Sequence, residues 1–359
     1  MASRRQFLGS LLAAGFAPSL TWADARSPSF LSAAKRRDGS FHLVGLDEAG
    51  RELFVLPLPG RGHAACAHPV RPEAVTFARR PGTFAIVLDC ARGETIAVLA
   101  SPKDRHFYGH GVFSRDGSLL FTTENAYQLG EGRIGIWDAR RGYQRVGELS
   151  SGGVGPHDIR RLPGTDTLVV ANGGIDTHPE TGREKLNLPT MRSNLTYLSG
   201  DGSVLEQAEL REEYRLSSIR HLAVSKDGLV AFACQWQGSL GAAPMLQGIH
   251  RLGTDLRLIH LPSDAGSLQG YAGSIAVSEN GQMVGVTFPR ANRYALWRSG
   301  GADLGELHQL NDACGIAASS AGFAVTSGSG QILDHSIQSR RELRKTDFVW
   351  DNHLVRMAV

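Results

Sequence analysis

One short frame recurs along this chain of 359 residues: an apolar segment runs into a tight glycine turn, and a second apolar run follows. It reads His110-Gly-Val-Phe-Ser-Arg-Asp-Gly117, His157-Asp-Ile-Arg-Arg-Leu-Pro-Gly164 and His221-Leu-Ala-Val-Ser-Lys-Asp-Gly228. With the histidine replaced it returns at residues 75–82, 274–281 and 315–322, beginning at Val75, Ser274 and Gly315. The second run is explicit in Ser118-Leu-Leu-Phe-Thr-Thr and Leu229-Val-Ala-Phe-Ala-Cys. Such a pair of runs around a glycine turn spells a β-hairpin. Six hairpins of one kind, with starts about 35 to 65 residues apart, bracket the four-strand repeat of a β-propeller.

The chain ends supply a seventh unit. His353-Leu-Val-Arg-Met-Ala-Val359 reads as an inner strand with nothing after it, and residues 29–34, 41–46 and 52–58 read as three strands with no inner strand before them. One plus three makes a blade, and pairing the ends removes the free sheet edges that invite aggregation. The expectation is an all-β, seven-bladed β-propeller closed by pairing of its N- and C-terminal strands, with residues 26–359 as a single domain. The 43 glycines and the many Asp-Gly, Asn-Gly and Pro-Gly pairs fit a chain of short strands. Two packed sandwiches would account for neither the repeated frame nor the split blade.

Residues 1–25 read as an address. Ser3-Arg4-Arg5-Gln6-Phe7-Leu8 matches the twin-arginine export pattern, apart from Gly9 where Lys is common. An apolar stretch and the small-x-small triplet Ala23-Asp24-Ala25 follow, so a periplasmic protein is expected. No later segment is apolar enough to span a bilayer. A formal charge of +3 with dispersed Lys and Arg argues against a nucleic-acid surface, and a monomer is expected. Cys66, Cys90, Cys234 and Cys314 form no C-x-x-C pair; a disulfide such as Cys66 with Cys90 stays open, and Cys314 reads as a packed thiol near the axis.

The first strand of a propeller blade lines the central channel, so residues at inner-strand starts converge at one mouth. His110, His157, His221 and His353 are then a candidate metal site, because neutral imidazole serves Fe, Cu, Zn and Ni alike. His178 is a further candidate donor, and Asp158, Asp351 and Glu124 are candidates to orient imidazoles or complete a coordination sphere. A histidine can also simply bond a neighbouring carbonyl, as in propellers that tie their blades together without metal. The connections between second and third strands reach the same face and carry Glu124, Gln235, Arg290 and the segment 172–187 with Arg183 and Lys185. With Arg220, these are candidate ligand-binding residues: guanidinium forks suit carboxylate or phosphate, although salt bridges to Glu124, Asp312 or Asp351 would occupy them equally well. No Gly-x-Ser-x-Gly elbow, His-Glu-x-x-His, P-loop or dinucleotide fingerprint is present.

Several segments together resemble a known family. They are Tyr108-Gly-His-Gly-Val-Phe-Ser-Arg-Asp-Gly117, Gly155-Pro-His-Asp158, Val170-Ala-Asn-Gly-Gly-Ile-Asp-Thr-His-Pro179, Lys185-Leu-Asn187, Ser218-Ile-Arg-His-Leu222 and Asp312-Ala-Cys-Gly315. They resemble a bacterial family of twin-arginine-exported propeller proteins of unknown function. The resemblance covers nearly the whole mature chain; its motifs contain His110, His157, His178 and His221, whereas His353 rests on the blade count. It implies periplasmic iron or copper handling, since such proteins are often encoded beside imelysin-type proteins and di-haem oxidoreductases, which are the expected partners.

Three functions follow. The first is a non-enzymatic metal-binding protein holding Fe or Cu in preference to Zn. The second is a metal-dependent oxidoreductase or a lactonase-like hydrolase, and the third a scaffold that docks an imelysin-like or haem partner.

Overall fold

The computed structural model describes residues 20–79, 83–182, 184–261, 265–300, 305–336 and 339–357. Seven four-stranded antiparallel sheets form a ring. We number the blades from the one that holds both chain ends. Blade 1 orders Val349–Arg356, Phe30–Lys35, Phe41–Leu46 and Glu52–Leu58 from the axis outward. The inner strands of blades 2 to 7 are Gly62–Ala67, His106–Phe113, Pro156–Arg161, Ser217–Val224, Ser274–Val277 and Ala313–Ala318, and each touches the next around the ring. Closure pairs Phe30 with Arg356 and Leu31 with Val355. Ser32 Oγ also donates to the His353 carbonyl at 2.8 Å, which ties the N-terminal strand to the axis. Among the described residues no helix is long and apolar enough to cross a membrane.

Packing follows from the strand patterns. Middle strands such as Leu168–Asn172 are buried on both faces, as expected of sheets covered on either side. Outer strands such as Gln144–Ser150 alternate with solvent. Apolar side chains fill the wedges between blades in seven clusters, one per interface; Val75, Phe77, Phe107 and Trp137, for example, join blades 2 and 3. Full burial of such side chains, each stabilising by about 1.5–3 kcal/mol, makes these wedges the main cohesive force.

Two sequence expectations change. The frame at residues 75–82 is not an inner strand: Val75 lies in the second strand Glu73–Ala78, and Gly62–Ala67 lines the axis instead. Residues 80–82 of that frame lie outside the described residues. The turn of this inner hairpin is Pro69-Val-Arg-Pro72, without glycine, and so it escapes a search for the glycine frame. Secondly, His110, His221 and His353 sit mid-strand instead of at strand starts. The pairing that the sequence left open is absent: all four cysteines are free and buried, Cys314 among them as a packed thiol, and burial pushes the Cys66 and Cys90 thiols up to about 12. The expected leader lies outside the described residues up to residue 19. Its last part does not: Trp22 and Ala25 pack between blades 1 and 2, and Trp22 Nε1 donates to the His68 carbonyl at 2.9 Å.

Candidate metal centre and adjoining cavity

Inner strands of a propeller normally alternate their side chains between the channel and the wedge. In six of the seven blades the pairing of inner and second strands is interrupted by a register shift; blade 6 is regular. A bulge leaves residues unpaired and re-aims a side chain. In blade 4 the unpaired residue is His157 itself, between the pairs Pro156↔Asn172 and Asp158↔Ala171. His63 of blade 2, His110 of blade 3 and His353 of blade 1 fall inside the same kind of interruption, while in blade 5 the register shifts at Arg220, next to His221.

Five imidazoles thereby meet on the axis. The His63 ring centroid is 5.0 Å from that of His110, 5.7 Å from that of His157 and 4.6 Å from that of His353. His110 lies 5.1 Å from His157 and 4.8 Å from His353, and His221 closes the group at 4.8 Å from His157 and 4.9 Å from His353. All five are buried. Ligand nitrogens of His63, His110 and His157 lie within 4.8 Å of one another, and so do those of His110, His221 and His353. His63 escaped the sequence reading; the signal was the small-residue strand Gly62-His-Ala-Ala-Cys-Ala67 directly after the Pro59-Gly60 turn.

The tautomer of His110 is fixed by a carboxylate. Its Nδ1 donates to Asp158 Oδ1 at 3.1 Å, so Nε2 carries the lone pair and has no protein partner. Asp158 also accepts the Leu222 N–H at 2.9 Å and pairs with Arg160 at 3.3 Å. Burial alone would raise its pKa, but Arg160, His110 and the Leu222 N–H outweigh burial and hold the carboxyl well below the usual range. Burial, followed by neighbouring histidines and arginines, pulls His63, His157, His221 and His353 well below the ordinary imidazole value. They are neutral, as ligands must be. Buried nitrogens without a partner remain on His63, His157, His353 and, twice, on His221. Leaving a buried polar group unsatisfied costs about 1–3 kcal/mol, so this many in one place is an expensive arrangement for a purely structural core.

A cavity of about 340 Å³ opens onto His63, His157 and His221. Its wall brings together Arg220, Arg290 and Gln235, all expected on this face, with Lys185, Gln237, Trp236, Tyr271 and Asn352. Three of the second-to-third-strand connections contribute: Gly173, Ile175, Thr177 and Lys185 come from one, Gln235 to Gln237 from the end of a strand and its turn, and Arg290 from the third. Arg183 lies outside the described residues.

Three expected residues are placed otherwise. Glu124 is fully buried in the second strand of blade 3, Leu119–Ala126, where Arg145 binds both carboxylate oxygens at 2.6 and 3.0 Å. It is committed to that ion pair and lines no part of the cavity. His178 is not in the histidine cluster: its Nδ1 accepts the Glu180 N–H at 3.3 Å, its Nε2 faces Gln128 Nε2 at 3.3 Å, and its ring packs on Tyr127. Asp351 is held by Arg61 at 2.7 Å and Arg79 at 3.3 Å, so it braces the channel wall instead of orienting an imidazole.

The architecture is shared with known structures. A chain of hydrazine synthase from Kuenenia stuttgartiensis superposes with a TM-score of 0.60 over 96% of this chain and 99% of that one, at 14% identity, which speaks for the fold alone. Comparison with curated proteins finds no match. Residues 56–357 match the family described as protein of unknown function DUF1513, and the chain therefore belongs to that family.

Proposed function

We propose that this propeller is a periplasmic metal-binding protein that holds a transition-metal ion among His63, His110, His157, His221 and His353 and serves iron or copper acquisition or handling. The observation that carries this reading is the convergence of five buried imidazoles, each with at least one nitrogen that has no protein partner. The two groups of three share His110, and with its Nδ1 given to Asp158 that residue has one nitrogen to offer. Only one of the two groups can therefore hold an ion through His110 at a time. A carboxylate behind a ligating imidazole is the usual outer-shell support of such sites. Imidazole donors suit Fe, Cu, Zn and Ni alike, and the choice of Fe or Cu rests on the family resemblance. The periplasmic setting rests on the twin-arginine pattern at residues 3–8, and an imelysin-like protein or a di-haem oxidoreductase is the partner that the family resemblance suggests.

Metal analysis of protein purified from the periplasm tests the reading, with His63→Ala, His110→Ala and His221→Ala alongside. Stoichiometric Fe or Cu in the wild type and its loss in the variants is expected. Substoichiometric metal that the substitutions leave unchanged would overturn it.

A second reading, a metal-dependent oxidoreductase or a lactonase-like hydrolase, is favoured by the cavity, which gives a small molecule access to one side of the cluster. Turnover of peroxide, a phenol or a lactone that disappears in His221→Ala would select catalysis over storage or transfer.

A further inference from the structure

The cations beside the histidines call for an explanation that a bound metal does not provide. Lys185 comes from the long loop of blade 4, Arg220 from the bulge of the blade 5 inner strand, and Arg290 from the turn after the second strand of blade 6. Three blades thus send one cation each into a single cavity, alongside Arg79 of blade 2, which lines it too and is paired with Asp351 at 3.3 Å. The three lie close enough to feel one another: the Lys185 pKa is lowered first by burial and then by Arg220 and Arg290. Among the described residues no Asp or Glu lines the cavity. Like charges gathered against a low-dielectric wall repel one another, and an anion between them turns that repulsion into attraction.

The geometry also suits a planar or tetrahedral oxyanion. The Arg290 guanidinium lies over the Tyr271 ring, 4.1 Å from its centroid, which restrains its position, and Asn352 Nδ2 donates to the Tyr271 hydroxyl at 3.3 Å. A guanidinium so held is suited to two parallel hydrogen bonds to a carboxylate or phosphate. A volume of about 340 Å³ is at the small end of ligand pockets, which suits a compact molecule and not a peptide or nucleic acid.

We propose that the cavity binds a small multivalent oxyanion, with Arg220, Arg290 and Lys185 gripping its negative groups beside His157 and His221. The inference needs only the cations and so stands apart from the metal reading. Two sources share this chemistry, polycarboxylates and phosphates, and the test separates them.

The experiment is calorimetric titration of the full purified protein with citrate and with inorganic phosphate, each after chelator treatment and again after metal loading. The variants Arg290→Gln and Lys185→Gln are titrated alongside, with the exposed Lys226→Gln as a control. Saturable binding is expected, weakened about tenfold or more by each cavity variant and unchanged by the control. Tighter citrate identifies a polycarboxylate site, and tighter phosphate a phosphate site. Triethyl citrate, which keeps the skeleton without the charges, is expected not to compete; this arm uses wild-type protein and is independent of how the variants fold. Absence of binding by both probes, equal binding by the cavity variants, or competition by the neutral ester would overturn the inference. Metal content is measured on the same samples. Metal without anion binding sinks this inference alone, and anion binding without metal sinks the metal reading alone.

Discussion

Asp158 is the residue on which the histidine cluster turns. It fixes the His110 tautomer, accepts the Leu222 N–H and pairs with Arg160, so one carboxylate links inner strands 3, 4 and 5. Asp158→Asn keeps the size but removes the charge and reduces the acceptor strength at Nδ1. Metal affinity is expected to fall about 10- to 100-fold, read by competition with a chelator of known affinity; an unchanged affinity would dissociate Asp158 from the site. The imidazoles also set an acid limit. His63, His157, His221 and His353 have folded values depressed below the unfolded 6.5. Below that pH the unfolded chain binds more protons than the folded one, so stability is intact above the unfolded value and is lost as pH falls towards the depressed folded values. For metal-free protein the slope is on the order of 1 kcal/mol per pH unit for each histidine. Denaturant melts between pH 7.5 and 5 check this, and His221→Leu is expected to flatten the slope. At this scale the sequence was partly legible. His110, His157 and His221 announce themselves by a shared offset from a glycine, whereas His63 lacks that offset because its hairpin turns on Pro69-Val-Arg-Pro72.

At the scale of the element, the interrupted inner strands decide where side chains point. Gly109 shows how tightly the interruption in blade 3 is built: it has φ +102°, and a Cβ there would lie 2.6 Å from the His63 ring. Gly109→Ala is expected to destabilise the fold by about 1–3 kcal/mol through backbone strain and to displace His63. Calorimetry together with metal affinity checks both effects, and an alanine tolerated in both would remove the close approach from the account. Bulges were not legible in the sequence, since register is set by pairing across the sheet and by what fills the wedge, and neither is encoded in a strand's own pattern. Glu124 illustrates the same limit. Its neighbours Tyr127 to Gly130 form the polar turn that was expected, but Glu124 lies three residues before that turn, in the strand facing Arg145, and a carboxylate read as loop is buried. Trp22 belongs to this scale as well. It is 2% exposed within the wedge between blades 1 and 2, and Trp22→Ala is expected to cost about 3–5 kcal/mol in denaturant melts. A loss within error would show that residues 20–25 are dispensable to the folded propeller, as removal of a leader up to Ala25 requires.

For the whole molecule, blade number and closure were legible because both follow from counting: each repeat leaves one hairpin signature, and leftover strands at the two ends must complete each other. Residues 20–25 and the cavity were not, since they depend on how neighbouring blades meet. Closure carries its own expectation. Chains lacking residues 349–359 keep six complete blades but leave blade 1 with three strands and an open axial edge. They are expected to aggregate or to lose cooperative unfolding, as judged by light scattering and circular dichroism.

The strand that closes the ring is also the one that brings His353 to the axis. It is the last strand of the ring to leave the ribosome. Four of the five imidazoles are therefore synthesised well before the fifth. The full cluster is thus completed last: the His110, His221 and His353 group exists only once the closing strand is in place, whereas His63, His110 and His157 are supplied by earlier blades.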